Sequence, residues 1–209
     1  MITKSLIIRW LRHTASVMEE QRDYLTQLDA AIGDADHGIN MDRGFKKVVE
    51  KLNSTEGKDI GVILRETGMA LISSVGGASG PLYGTFFIKA GMLASGQENL
   101  NGEEFSSILK AGVNAVMERG RAQAGDKTMV DALLPAIEEL EHALKERVDL
   151  VGALKRAVAS AEEGVKNTIP MIARKGRASY MGSRSIGHQD PGATSAFLLL
   201  KSLYESFTS

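Results

Sequence analysis

Apolar residues follow a helical spacing along most of the chain. Leu6, Trp10, Leu11, Met18 and Leu25 fall on one face of a single long helical segment. The same spacing predicts further helices over residues 45–52, 60–75, 82–93, 101–119, 127–146, 150–168 and 192–206. No run of alternating apolar and polar residues is bounded by turns, so the pattern does not favour strands. It indicates an all-α protein of about eight amphipathic helices joined by short connections.

One of these helices has a clear start signal. Asn101 comes directly before a helical pattern, and Glu104 follows three residues later. An Asn side chain at this position accepts a hydrogen bond from the first turn, and a Glu three residues on reaches back to the backbone of the cap. The pair therefore predicts that a helix begins here and runs to about residue 119.

Composition narrows the class of protein. The chain has 209 residues, of which 43% are hydrophobic and 24% are charged, as in ordinary soluble proteins, and we expect 1–209 to form one domain. The formal charge of -1 provides no basic excess for a nucleic-acid backbone, so no nucleic-acid partner is expected. No apolar run reaches the ~20 residues that a membrane span needs. Cysteine is absent, which makes a reducing cytoplasm the simplest compartment.

The strongest chemical signal is an acidic segment between two predicted helices. Asp29, Asp34 and Asp36 fall within eight positions, and no basic residue separates them. Carboxylates this close repel one another unless a cation or protons compensate, and Mg²⁺ prefers oxygen ligands. Gly33 and the glycine after His37 would let the backbone fold the carboxylates toward one point. A divalent-metal site is favoured over a solvated acidic turn, although these residues alone leave both open.

Two familiar motifs are excluded by their spacing. An EF-hand that began at Asp34 would need Gly at its sixth position and Glu at its twelfth, but these are Ile39 and Phe45. Residues 120–128 are similar to a phosphate-binding P-loop, but Asp126 separates the second glycine from the lysine. A helical pattern also precedes this segment where a P-loop requires a strand. We interpret it as a helix start that could offer a hydroxyl or backbone contact to an anion.

Glycines cluster in four loops, within 33–38, 76–84, 120–125 and 176–192. The loop at 76–84 leads into a predicted helix, and free N–H groups at a helix N-terminus bind phosphate well. A flexible connection between helices is the alternative interpretation of such a loop. Four glycine-bearing loops in one small helical protein predict a common site at one end of it.

The motifs also occur together in a fixed order. The order is Asp29-x4-Asp34-x-Asp36-His37-Gly38, then Gly76–Pro81, then Gly125–Met129, then Lys175–Tyr180. This ordered set resembles the L subunits of dihydroxyacetone kinases, and the resemblance covers nearly the whole chain. It implies an α-helical barrel of about eight antiparallel helices, with a nucleotide bound at one mouth.

The resemblance implies roles for individual residues. Asp29, Asp34 and Asp36 would bind two Mg²⁺ ions together with the phosphates of ADP or ATP. The residues implied to hold the nucleotide are His37, Gly38, Asn40, Ala78, Ser79, Gly80, Gly120, Thr128, Met129, Arg177 and Asp190. No catalytic residue is identified beyond the metal site.

The resemblance also implies partners. In this family a K subunit binds dihydroxyacetone, and an M subunit of the phosphotransferase system rephosphorylates ADP that stays bound to the L subunit. The chain is therefore expected to be a phosphotransfer subunit that passes the γ-phosphate of the resulting ATP to dihydroxyacetone on the K subunit. Two alternatives are an ATP-exchanging two-subunit kinase for another small ketose and a regulatory subunit that senses nucleotide without catalysis.

Overall fold

Nine α-helices account for most of residues 1–208, the part of the chain that the computed structural model describes. They are α1 Lys4–Glu20, α2 Arg22–Ile32, α3 His37–Leu52, α4 Ile60–Ser74, α5 Ser79–Leu93, α6 Gly102–Gly120, α7 Val130–Lys145, α8 Leu150–Asn167 and α9 Pro191–Thr208. A 3-10 segment at Arg177–Ser185 and two short strands, β1 Ile2–Thr3 and β2 Asn99–Leu100, complete the described elements. The predicted all-α fold is confirmed.

The first predicted helix is in fact two. α1 ends at Glu20 and α2 begins at Arg22, with Gln21 between them. The prediction of one continuous segment was wrong because Met18 and Leu25 are both buried and are spaced as if on one helix. The second helix carries Asp29 near its end, so this carboxylate lies on a helix and not in the loop with Asp34.

Eight of the nine helices form a closed ring. Each packs on the next in the order α1, α3, α4, α5, α6, α7, α8, α9, and α9 packs on α1 again. α2 lies against both α3 and α9. The indole N–H of Trp10 on α1 donates to the carbonyl of Leu199 on α9 at 3.0 Å, which ties the two ends of the ring together. Trp10 also packs against Phe87 and Phe105, so the aromatic core spans opposite parts of the ring.

The connections alternate between the two ends of this ring. Those after α2, α4, α6 and α8 lie at one end, which we call the site end. At the other end, the antiparallel pair β1 and β2 joins residues 2–3 to 99–100, and the N–H of Ile60 donates to the carbonyl of Gln97. The four connections at the site end contain the four glycine loops of the sequence.

Helices that start at the end away from the site are capped by side chains. Asp59, Asn101 and Asp149 each accept a hydrogen bond from the first turn of α4, α6 and α8. The capping box predicted for Asn101 and Glu104 is confirmed, with N···O distances of 2.9 and 2.7 Å. These bonds satisfy N–H groups that have no partner within their own helix.

Glycines let α4 and α5 approach closely. A Cβ atom at Gly68 would lie 2.6 Å from the carbonyl oxygen of Gly84, and one at Gly61 would lie 2.6 Å from that of Gly91. The two backbones are therefore in direct contact at two levels, which only glycine permits. This pair of helices holds both ends of the glycine loop at residues 75–78. No helix among residues 1–208 is long and apolar enough to cross a membrane.

Candidate functional site

All four connections at the site end line one cleft, with a volume of about 240 Å³. A larger and more open groove of about 1120 Å³ lies beside α2 and α3, between residues such as Arg22, Asp42 and Lys46. Within residues 1–208, the one group of three acidic or histidine side chains close enough to share a metal ion lies in the smaller cleft. We therefore place the candidate site there and not in the groove.

Three carboxylates form one wall of the cleft. Oxygen atoms of Asp29, Asp34 and Asp36 all lie within 4.8 Å of one another. Asp29 is buried on α2, and its Oδ2 accepts from the backbone N–H groups of Asp36 at 2.9 Å and His37 at 3.2 Å. These bonds fix the turn that carries the other two carboxylates. Three oxygen donors in this arrangement fit a hard divalent cation.

The local backbone explains how the turn forms. A Cβ atom at Gly33 would lie 2.0 Å from Oδ1 of Asp29, so only glycine allows the chain to leave α2 against this side chain. Ala35 then adopts a φ of 60°, a left-handed conformation that L-residues rarely take. Conformations of this kind persist where surrounding contacts fix them, and here the bonds to Asp29 do so.

A cation from the opposite side of the cleft compensates part of this charge. Nε of Arg177, in the 3-10 segment, lies 2.7 Å from Oδ2 of Asp34. The Arg177 side chain is 70% exposed, so the ion pair adds little to the stability of the fold. Its effect is to bring the segment after α8 onto the carboxylate wall.

A buried hydrogen-bonded chain supports the centre of the cleft. Nε2 of His37 lies 2.8 Å from Oγ of Ser195, Nδ1 lies 3.2 Å from Oγ of Ser79, and the hydroxyl of Tyr83 lies 2.7 Å from the same Ser195 oxygen. Burial lowers the pKa of His37, although the charges of Asp29 and Asp36 act in the opposite direction. His37 is therefore a neutral imidazole in this environment, held in one orientation by hydroxyl groups on both sides.

The glycine loop forms the facing wall. A Cβ atom at Gly76 would lie 3.0 Å from the amide group of Asn40, so the loop lies directly on this buried side chain. Arg43 donates to Oδ1 of Asn40 at 2.6 Å and to the carbonyl of Ser74 at 2.8 Å, which joins α3 to the loop. α5 begins at Ser79, and its N-cap residue makes no side-chain capping bond. Unlike the capped helices, α5 thus presents a start suited to an anion.

The start of α7 and the start of α9 form a further wall of the cleft. Asp131 accepts from the N–H groups of Gly125 at 2.6 Å and Thr128 at 2.7 Å, which folds the turn before α7. Asp190 is buried, and its Oδ2 accepts from the N–H of Ala193 at 2.7 Å, so it caps α9. Burial raises the pKa of Asp190 to about 7, and the charge of Asp131 acts in the same direction.

The structure brings most of the predicted site residues together. Eleven of the fourteen line the cleft: Asp29, Asp34, Asp36, His37, Asn40, Ala78, Ser79, Thr128, Met129, Arg177 and Asp190. Gly38, Gly80 and Gly120 are not among the lining residues. Close packing explains each of these glycines, since added Cβ atoms would lie 1.9 Å from the Arg22 carbonyl, 2.4 Å from the Val75 carbonyl and 3.3 Å from the Leu82 side chain. Their contact with a nucleotide stays a prediction.

Sequence reasoning missed three residues that shape the site. Tyr83 and Ser195 fall on the apolar faces of α5 and α9, where nothing in the pattern separates a hydrogen-bonded hydroxyl from ordinary helix packing. Lys127 was considered only as part of a failed P-loop. In the structure it is buried and its Nζ is surrounded by backbone carbonyls. The one feature of the sequence that could have indicated a special role for Lys127 is the unusual order of acidic, basic and hydroxyl residues after Gly125.

The closed ring and the cleft at one of its ends define the class: α-helical barrels with a carboxylate-lined site at one mouth. A model of the DAK2 domain matches residues 31–205. The chain belongs to the DAK2 domain family.

Two dihydroxyacetone kinase subunits are similar to this chain over nearly its full length. The ADP-binding subunit DhaL of the PEP-dependent dihydroxyacetone kinase of Escherichia coli is 49% identical over 202 residues, which cover 97% of this chain and 96% of that protein. The ADP-binding subunit of the PTS-dependent dihydroxyacetone kinase of Lactococcus lactis is 38% identical, with 98% of each chain covered. The expected resemblance is confirmed.

A solved structure shares the fold. The dihydroxyacetone kinase of C. freundii, determined in complex with AMP-PNP and Mg²⁺, superimposes with a TM-score of 0.75 at 26% identity. The match covers 97% of this chain and 34% of the longer kinase chain. This chain therefore corresponds to about one third of that protein.

Proposed function

We propose that this chain is the nucleotide-binding phosphotransfer subunit of a dihydroxyacetone kinase. ADP stays bound in the cleft, a phosphotransferase-system protein (the M subunit) phosphorylates it, and the resulting ATP gives its γ-phosphate to dihydroxyacetone on a K subunit. The observation that carries the proposal is the placement of three carboxylates and an uncapped helix start in one cleft. The names of the full-length relatives support the same activity.

In this proposal Asp29, Asp34 and Asp36 hold two Mg²⁺ ions. Such ions neutralise phosphate charge and orient the transferring group when they are bound. Asp29 is already fixed by two backbone N–H groups, so its geometry does not depend on the ligand. Arg177 and Lys175 line the same cleft and supply positive charge across from the carboxylates.

The other lining residues position the nucleotide. Ala78 and Ser79 lie at the start of α5, where backbone N–H groups can bind phosphate. His37 stays neutral, so it adds no positive charge that would compete with the metal ion for the carboxylates. Thr128 and Met129 at the start of α7 belong to the opposite wall. Phosphoryl transfer depends mainly on positioning and charge stabilisation, so no base on this chain is required when the acceptor lies on a partner.

The experiment is a reconstitution in two stages. The purified protein is denatured and the released nucleotide is identified, and then phosphate transfer to dihydroxyacetone is followed with purified K and M subunits and phosphoenolpyruvate. We expect about one ADP per chain, and transfer that depends on the M subunit without added ATP. A nucleotide-free protein that turns over added ATP with the K subunit would replace the bound-cofactor mechanism by the ATP-exchanging one. Binding without any transfer would leave only nucleotide sensing.

A further inference from the structure

Lys127 has an environment that the proposed chemistry does not use. The residue is 1% exposed. Its Nζ donates to the carbonyls of Thr168 at 2.7 Å, Ser185 at 2.8 Å and His188 at 2.5 Å, and the Met171 carbonyl lies farther away at 3.2 Å. No carboxylate lies within ion-pair distance of this ammonium among the described residues. A lone buried charge is costly, so full hydrogen bonding by backbone dipoles is what makes the arrangement possible.

The four carbonyls all belong to one stretch of chain. We call residues 168–190, between the end of α8 and the start of α9, the covering segment. It carries Lys175, Gly176, Arg177 and Asp190 of the cleft wall. Lys127 binds near the start of this segment, at Thr168 and Met171, and near its end, at Ser185 and His188. A single side chain thus joins the two ends of the loop and holds its base closed.

Few other contacts attach this segment to the start of α7. The N–H of Arg174 donates to the carbonyl of Asp126 at 3.0 Å. Most of the remaining bonds are internal, such as those from the Ala173 N–H to Oγ of Ser185 and from the Gly187 N–H to the Ile169 carbonyl. The segment is therefore a loop with its own internal structure. Lys127 attaches its base to the barrel, and Gln189 and Arg177 also contact α2 and the turn after it, at Tyr24 and Asp34.

The backbone at Lys127 is adapted to this contact. Its φ is 62°, in the left-handed region that costs an L-residue of this kind about 1 kcal/mol or more. The N–H groups of Gly125 and Thr128, which donate to the Asp131 carboxylate, hold the turn in that conformation. The turn thereby places the lysine at the inner wall of the cleft, with its Nζ directed into the covering segment.

We propose that Lys127 is a positioning residue that holds the covering segment against the cleft, so that Arg177 meets Asp34 and the bound nucleotide. This inference rests on the proposed nucleotide site. It assigns the lysine a structural cation's role: one ammonium gathers backbone carbonyls, much as a bound monovalent ion would, and acts on the ligand through the position of Arg177.

The test combines Lys127→Met with a double-mutant cycle. Methionine keeps the length of the side chain and removes the charge, and Lys166→Met on the exposed surface of α8 is the matched control. We expect Mg-ADP affinity, measured by calorimetry, to fall at least about tenfold in Lys127→Met and to stay within about twofold in the control. Hydrogen exchange should rise across residues 168–190 and stay unchanged in α1, α5 and α6.

The cycle separates positioning from a general loss of stability. If Lys127 acts through Arg177, then Arg177→Met should cost much less affinity in the Lys127→Met background than in the wild-type protein. Additive losses, or wild-type exchange in the covering segment, would overturn the inference. If Lys127→Met does not fold, Lys127→Arg takes its place in the same cycle, because it keeps the charge while its planar guanidinium cannot gather these carbonyls around one nitrogen.

Different results would contradict the proposed function and the role of Lys127. A wild-type protein that binds no Mg-ADP would contradict the nucleotide site itself, and the exchange measurement alone would then decide whether Lys127 holds the segment. A wild-type protein that binds Mg-ADP, together with a Lys127→Met variant of equal affinity and equal exchange, would overturn only the role of Lys127.

Discussion

Asp190 shows how one residue can serve both the fold and the site. Its carboxyl group caps α9 through the Ala193 N–H and lies buried at the edge of the cleft. Burial is the largest cause of its raised pKa, and the acidic neighbours Asp131 and Asp29 add to it, while Lys127 opposes it. The carboxyl is therefore about half protonated near neutral pH in the ligand-free protein.

This raised pKa predicts a pH-dependent stability. The folded pKa of about 7 lies above the ordinary value of 3.8, so the folded protein holds the Asp190 proton more tightly than the unfolded chain does. As pH rises from about 4 to about 7, the free energy of unfolding of the wild type should fall relative to Asp190→Asn, by up to about 4 kcal/mol. Above about pH 7 the difference should stay constant.

Urea denaturation of ligand-free protein across this pH range measures the effect. Asn keeps an oxygen that can accept from the Ala193 N–H, so the cap survives the substitution. Asp149→Asn, at the exposed start of α8, is the matched control for the loss of an N-cap carboxylate. A stability difference between wild type and Asp190→Asn that does not change with pH would contradict the assignment.

The acidic wall is the part of the site that single residues predict best. Asp29, Asp34 and Asp36 are close in sequence, so a tight turn is enough to bring them together, and Gly33 is the signal for that turn. Lys127 could not be predicted in the same way, because its partners are carbonyls 41 to 61 residues away. Every residue has a backbone carbonyl, so the sequence does not indicate which of them bind this lysine.

At the scale of elements, α5 differs from the helices that start at the far end of the ring in how it begins. α4, α6 and α8 start away from the site and are capped by Asp59, Asn101 and Asp149, whereas α5 starts at the site with no side-chain cap. The local signals for capped starts are readable from sequence, as Asn101 shows. The break at Gln21 is not, because the apolar spacing continues across it.

The close pairing of α4 and α5 gives an element-scale prediction. Gly68→Ala would put a Cβ atom 2.6 Å from the Gly84 carbonyl, so the helices must move apart and the glycine loop between them must shift. We expect a loss of about 1–3 kcal/mol in the free energy of unfolding, even though Ala is the better helix former. Thermal or urea denaturation measures it.

Gly102→Ala provides the comparison for this substitution. Gly102 begins α6, and an added Cβ would meet its nearest neighbour, the Leu144 side chain, at 3.4 Å. It should therefore leave stability unchanged or raise it slightly through better helix propensity. Equal effects of the two substitutions would show that the α4–α5 contact is looser than the structure indicates.

The whole molecule explains why residues far apart in the chain meet. Successive helices run in opposite directions, so every second connection lies at the same end. The closure of the ring between α1 and α9 then brings residues 29–36, 75–79, 127–129 and 175–190 together there. The sequence predicts an all-α fold and a shared site, but it predicts about eight helices where residues 1–208 form nine. It does not reveal ring closure, which depends on long-range contacts such as that between Trp10 and Leu199.

The central claim is that the carboxylate wall holds the cation that binds the nucleotide, and Asp34→Ala tests it most directly. Asp34 is an exposed turn residue whose ion pair with Arg177 lies at the surface, so the variant should keep the circular dichroism of the wild type. Loss of residues that merely support a metal ligand costs about 10–100-fold in affinity, so loss of a ligand should weaken Mg-ADP binding by at least that factor. Asp23→Ala, an exposed carboxylate on α2, should bind normally. Calorimetry that finds Mg-ADP bound equally well by Asp34→Ala and the wild type would contradict the account.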